Sequence, residues 1–325
     1  MPAYTLLEYA KTFTDPKVRS VIELFPAAVD FWAALPYKTA PGGRYGYMRE
    51  GGLPTNMAFR AINEAPSSGT GVPNDFTEMC FPLAGNLDVD RVLINRDKGG
   101  NARAMRENME IKAKAKKWAD TFIGGDNATE PREFTGLKQR LRAVGAGASS
   151  VDGTNYDSRI VANSTASGGG ALSLAMLDLA IGNTNEPNAI IMPRMLRERM
   201  PAAVRDAAVG GLYTNDKEDM GHRVERYRGI PLYVGYELTK FNTFLPFNEV
   251  AFGGGAAVTA SIYVVSFGEM GLCGLETSPM EVKDLGLIND GATYRTNVEH
   301  DNGLCLEGEY AATRLTSITN AAIVK

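Results

Sequence analysis

Residues 97–126 read DKGGNARAMRENMEIKAKAKKWADTFIGGD, a long polar helix pattern that follows a segment too rich in Gly, Pro and Ser to build a core of its own. The spacing predicts a helix over 101–123, with Asp97 or Asn101 as N-cap and the Gly124-Gly125 pair as its stop. At 1.5 Å per residue such a helix is roughly 34 Å long, enough to brace a domain from end to end. Ala102, Met105 and Met109 keep helical spacing, as do Ala115, Trp118, Ala119 and Phe122, while Arg and Lys/Glu side chains fill the rest of the circumference. One narrow stripe is expected to pack inward. The lysines at 112, 114, 116 and 117 read as a solvated or intersubunit face rather than a nucleic-acid contact.

Upstream, residues 41–85 offer strand candidates at 44–49, 58–63 and 76–81, separated by Gly51-Gly52-Leu53-Pro54 and by a turn-rich run over 65–73. A two- or three-stranded ribbon is marginal in water without a second layer. Tyr45, Tyr47, Phe59, Phe76 and Phe81 therefore need cover, from the same chain or from another copy. Residues 1–40 read as two short helices, 5–11 and 18–25, followed by an aromatic cluster over 31–37, an arm with little core of its own.

From residue 151 onward the pattern becomes a conventional α+β alternation. Leu172, Ala175, Met176, Leu179 and Ala180 predict an amphipathic helix opened by Ser167-Gly168-Gly169-Gly170. Strands are expected at 188–192, 229–235 and 261–267, a helix from Pro193 to Met200, and closing strands at 297–309 and 314–323.

The 325 residues are 44% apolar, enough for a real core, and the formal charge of −4 argues against a dedicated nucleic-acid binder. No basic region followed by an apolar run opens the chain, and no segment reaches the length of a membrane-spanning helix. Cys80, Cys273 and Cys305 are widely spaced, fitting a reducing compartment, and only His222 and His300 could join them at a metal. No metal and no cofactor is expected.

The Gly-rich segments lack the following Lys-Ser or Lys-Thr of a phosphate loop, and Gly-x-Ser-x-Gly is absent. Residues 152–157 carry oxygen ligands without the spacing of a calcium loop. A hydrolase built on Cys305 or a serine with His300 is the one catalytic reading left, and nothing in the sequence organises it.

Several local sequences, in order, resemble the major capsid proteins of tailed double-stranded DNA bacteriophages, those with the Hong Kong 97 fold. RAINE at 60–64 is similar to the returning strand of that family's extended loop, and VDRVL at 89–93 to its exit. FIGGD at 122–126 through PREFTGL at 131–137 is similar to the end of the spine helix, and ASIYVVSFGE at 260–269 and NGL at 302–304 through YAATRL at 310–315 to late strands. The resemblance implies an N-terminal arm over 1–40, an extended β-hairpin loop over 41–86, a peripheral domain with the spine helix over 87–135, a largely axial domain over 136–290, and a return to the peripheral domain over 291–325.

It further implies a non-enzymatic subunit that assembles through pentamers and hexamers into an icosahedral virion capsid around double-stranded DNA, in the host bacterial cytoplasm. Portal and decoration proteins are the implied partners, with no membrane. Arg44, Arg49, Glu50, Phe59, Arg60, Glu64 and Trp32 are the candidate intersubunit contacts. No lysine lies between Lys38 and Lys98, so the loop lysine that some members join to a neighbour's asparagine is lacking. Arm-like sequence follows Met1 almost at once, which predicts a separate scaffolding protein or prior cleavage of a longer precursor, the initiator Met1 favouring the first. An encapsulin-like nanocompartment shares the fold and is the alternative.

Overall fold

The computed structural model describes residues 29–96, 102–142, 159–204, 213–217, 223–235, 237–239, 242–289 and 291–324. The predicted helices at 5–11 and 18–25, both N-cap candidates of the long helix, His222 and the oxygen-rich stretch at 152–157 lie outside the described residues.

Along the chain, a 3-10 turn at Asp30–Ala34 leads into β1 (Tyr37–Thr39), the hairpin strands β2 (Arg44–Gly52) and β3 (Val72–Met79), and β4 (Phe81–Asp90). Then come α1 (Arg91–Arg96), the long helix α2 (Ala102–Gly124), α3 (Leu137–Arg140), β5 (Ile160–Ala162), β6 (Gly170–Ser173), α4 (Leu174–Gly182) and β7 (Ala189–Ile191). The helices α5 (Arg194–Arg197) and α6 (Met200–Val204) precede β8 (Tyr213–Lys217), β9 (Arg223–Tyr227), β10 (Ile230–Tyr233), β11 (Glu237–Thr239), β12 (Asn242–Thr243) and β13 (Glu249–Val250). The chain closes with β14 (Ala257–Val265), β15 (Leu272–Leu287), β16 (Thr293–Leu306) and β17 (Ala312–Val324).

Two sheets organise these elements. Four strands in the order β1-β15-β16-β4 make one, and nine make the other, with β5-β17-β14-β7-β10-β9-β8 as its path and β13 and β6 paired to β14 and β17. The long closing strands divide between them, β16 pairing β15 and β4, β17 pairing β14.

The helix α2 lies on one face of the four-stranded sheet because its Ile111, Ala115, Trp118, Ala119, Phe122 and Ile123 form a continuous apolar stripe, all buried. Its first half departs from expectation. Met105 and Met109, on the predicted stripe, are 66% and 62% exposed, since the cover ends short of them. The glycine stop is where the sequence puts it: a Cβ on Gly125 would fall 2.3 Å from the Phe134 carbonyl oxygen and 2.6 Å from that of Thr121. Only glycine permits that close return of the chain.

The apolar cluster under α2 takes Phe31 and Trp32 from the N-terminal turn, Tyr37, Leu272, Val298 and Leu304 from the sheet, and continues into Tyr263 and Val265 of β14. Trp32 and Trp118 meet at 4.0 Å between ring centroids, and Phe31 and Phe122 at 5.0 Å. A second cluster fills the nine-stranded sheet beneath α4, with Leu174, Leu177, Ile190, Leu196, Ile262, Val264 and Leu315. A partly buried ionic joint ties α3 to this sheet: Glu249 accepts from Arg314 at 2.9 Å and pairs with Lys138 at 2.9 Å. Burial alone raises the Glu249 carboxyl, but Arg314, the Ser261 hydroxyl and Lys138 outweigh it and hold the group below its usual range.

Two predicted elements shift. Residues 58–63 form no strand; the return strand of the hairpin is Val72–Met79, because it sets Phe76 opposite Tyr47, where the rings stack at 5.6 Å. Leu172 lies in β6, beside β17, and the helix starts at Leu174, so its inward face is Leu174, Leu177, Ala180 and Ile181, leaving Leu179 half exposed. The two Gly-rich segments serve backbone packing: Gly168 donates to the Gly254 carbonyl at 2.8 Å, and a Cβ on Gly253 would fall 2.1 Å from the Thr165 carbonyl.

Candidate assembly interface

The hairpin β2–β3 pairs from Arg44↔Met79 to Gly52↔Val72, a ribbon about 27 Å long at 3.4 Å per residue. Its base is fastened to the outer face of the four-stranded sheet, the face away from α2. The Tyr47 hydroxyl donates to the Leu306 carbonyl at 3.2 Å, and Arg49 Nε to the Glu307 carbonyl at 3.0 Å, while Arg49 Nη2 donates to Leu306. Lys38 pairs with Glu307 and donates to the Tyr45 hydroxyl at 3.2 Å. Burial lowers the Lys38 ammonium, yet these two partners outweigh it and push the group above its ordinary value.

From the other side, Arg140 forks onto Glu78, with one arm at 2.8 Å, and also donates to the Leu304 carbonyl at 3.0 Å. Charged donors onto backbone carbonyls are among the stronger hydrogen bonds, each contributing about 1.5–3 kcal/mol. The base is thus anchored within its own chain.

The tip is not. Between the strands, Ala61 N–H donates to the Glu64 carboxylate at 2.8 Å, Arg60 to the Glu64 carbonyl at 2.8 Å, and Asn56 and Ser67 exchange two hydrogen bonds, so the tip holds a shape by local polar contacts. Its apolar side chains find no cover among the described residues: Leu53, Met57, Phe59 and Ile62 are all exposed, Phe59 completely. Met48 and Val72, on the strands of the ribbon, are exposed as well. A second exposed apolar surface runs along the first half of α2, Met105 and Met109, with Val92 and Leu93 of α1 exposed nearby in the chain.

The sequence-predicted contact residues separate accordingly. Arg44, Glu50, Phe59, Arg60 and Glu64 are exposed on the hairpin and its tip. Arg49 is buried and committed to Leu306 and Glu307, and Trp32 is 1% exposed, in the core against Trp118. Leu53, Met57 and Ile62 are not among the sequence-predicted contacts; their signal is an apolar side chain every few residues inside a Gly/Pro/Ser-rich run.

His300 and Cys305 are not brought together. His300 is buried on the α2 side of β16, with Nε2 3.6 Å from Glu276 and Nδ1 3.2 Å from Asn302, whereas Cys305, an odd number of residues on, packs on the hairpin side. Among the described residues no helix is long and apolar enough to cross a membrane.

No family model matches the sequence, and no curated protein matches it either. Solved structures do. The SrpI encapsulin of Synechococcus elongatus PCC 7942, in its holo complex, superposes with a TM-score of 0.59 at 14% identity, over 97% of this chain and 94% of that one. The capsid of cyanophage A-1(L) gives 0.59 at 11% identity, over 86% and 90% of the two chains. The capsid of a native GTA particle gives 0.56 at 15%, over 87% of each. At such identities the likeness is one of fold.

Proposed function

We propose that this chain, which has the Hong Kong 97-type capsid fold, is the major capsid protein of a tailed double-stranded DNA bacteriophage. It self-assembles through pentamers and hexamers into the icosahedral head and catalyses no reaction. The observation that carries this reading is the division of the hairpin into an anchored base and an uncovered apolar tip. A base fixed by Arg49, Arg140 and Lys38 holds the tip at a set distance from the body, and the tip's four apolar side chains await a second surface. Covering each contributes roughly 1.5–3 kcal/mol before ordering costs. Repetition over a closed shell makes such individually modest contacts decisive.

The exposed Met105 and Met109 of α2 on a neighbouring copy are the proposed seat for that tip, being apolar and carried on a long helix. With no lysine in the loop, the tip holds by packing and charge, without a loop isopeptide. A separate scaffolding protein, a portal and decoration proteins complete the proposed head, and the virion is its location.

One observation favours a second reading, an encapsulin-like compartment: the SrpI encapsulin match spans 97% of this chain. Expression of the full-length protein, followed by electron microscopy and nuclease treatment of purified particles in the presence of the viral packaging genes, separates the two. Heads that protect genome-length DNA support the capsid reading. Particles that close around a protein cargo and protect no DNA favour the compartment, and a well-folded monomer under all assembly conditions sinks both.

A further inference from the structure

The three cysteines, far apart in sequence, converge on the outer face of the four-stranded sheet beneath the hairpin base. Cys273 of β15 and Cys305 of β16 are directly opposed in the antiparallel register and are both fully buried. Cys80, half buried in the β3–β4 junction, packs against the same cluster. Opposed residues of an antiparallel pair have Cα atoms about 4.5–5.5 Å apart, inside the span of roughly 4.4–6.8 Å that a disulfide requires. The two thiols are also within hydrogen-bonding reach of one another.

What lies over them is the hairpin: Tyr47 is buried against the pair, with Tyr45 and Phe76 packed alongside. Paired charges flank the site: Lys38 is held by Glu307, and Arg140 by Glu78. With the hairpin down, Cys273 and Cys305 are shut off from solvent; mutual hydrogen bonding and burial raise the Cys305 thiol, and burial pushes Cys80 up to about 11, so the reactive thiolate is scarce.

From this arrangement we infer that Cys273 and Cys305 form a thiol–disulfide exchange site whose lid is the hairpin base, and whose substrate is a low-molecular-weight disulfide of the glutathione class. Lifting the base admits the disulfide and solvent together. The Cys273 thiolate attacks one sulfur of the disulfide; the S–S bond breaks and one thiol leaves, taking up a proton. The Cys305 thiolate then attacks the Cys273 sulfur of the mixed disulfide and expels the second thiol. Two protein thiols are oxidised by two electrons, and one disulfide is reduced to two thiols. The product staples β15 to β16 beneath Tyr47. Nothing in this step depends on whether the chain builds a shell.

The test uses the full-length protein as purified. Pulsed iodoacetamide labelling read by mass spectrometry gives a rate for each cysteine, beside hydrogen-exchange rates for the amides of β2 and of β14. The site predicts that Cys273 and Cys305 label with the opening of β2, about tenfold or more faster than the opening of β14 allows. Glutathione disulfide is then expected to yield a Cys273–Cys305 linked peptide. Arg49→Ala, which frees the base, should speed that link about 30- to 150-fold, and Cys305→Ser should stop the reaction at a glutathione adduct on Cys273. Labelling that follows β14 opening overturns the proposal. So does glutathione on Cys80 alone, with no link, in protein whose β2 amides exchange. If Arg49→Ala does not fold, the labelling comparison in the unsubstituted protein decides.

Discussion

The Arg49 guanidinium lies 4.7 Å from the centroid of the Phe76 ring while its Nε donates to the Glu307 carbonyl at 3.0 Å. One side chain therefore stacks between the two strands of the hairpin and fastens them to the sheet. Replacing Arg49 by alanine removes the stack and two charged hydrogen bonds, and should loosen the hairpin base by about 2–3 kcal/mol. Hydrogen exchange checks this: amides of β2 and β3 should lose protection while those of β14 keep theirs. Uniform loss across both would show that the base is not an independent unit.

A Leu53→Ser, Phe59→Ser, Ile62→Ser variant should fold as well as the unsubstituted chain, within about 0.5 kcal/mol by denaturant melting, since these side chains touch little of their own chain. Its defect should appear only in association, as particles that fail to form or dissociate at higher concentration. A large loss of monomer stability would mean that the tip packs on its own body.

Trp32→Ala should cost about 3–5 kcal/mol, the usual range for a large core aromatic. A double-mutant cycle with Trp118→Ala should return a coupling of about 0.5–1.5 kcal/mol for the 4.0 Å ring pair. Additive losses would contradict the contact.

Lys114 gives a pH signature. Its ammonium, on α2, is 7% exposed and donates to the Val298 carbonyl; burial lowers it to about 8, against partial compensation from Glu299 and Glu110. A lysine depressed in the folded state binds its proton less well there than in the unfolded chain. Stability should thus rise with pH between about 8 and 10.5, by up to about 3 kcal/mol. Below pH 8 the cost is constant. Lys114→Met should abolish this rise and stabilise the protein at pH 7 by about 1–3 kcal/mol in thermal melts, and a pH slope unchanged in the variant would refute the assignment.

How much of this the residues announce depends on where cover comes from. The long helix is legible because charge, an apolar stripe and the Gly124-Gly125 stop agree, and Arg44–Gly52, Ala189–Ile191, Ile230–Tyr233 and Ala257–Val265 are legible as short apolar or alternating runs. Of the strand candidates 58–63 and 76–81, the first forms no strand and the second overlaps Val72–Met79; what decides is the Tyr47–Phe76 pairing, a long-range contact invisible in a local window. Met105 and Met109 follow the helical period yet face outward, since periodicity reports that a face is apolar and not which molecule covers it. The roles of Trp32 and Arg49 were hidden for the same reason: an aromatic in an arm or an arginine in a ribbon can turn to its own chain or to another. Here both turn inward.

The central claim is that the hairpin tip is completed by a neighbouring copy. Cryo-electron microscopy of the expressed full-length protein, with its scaffold supplied, tests it most directly. The account predicts closed icosahedral shells of pentamers and hexamers in which Phe59 and Ile62 are buried against the Met105–Met109 face of an adjacent subunit. Shells in which the tip stays solvated, or protein that remains monomeric with its tip folded onto its own body, would contradict it.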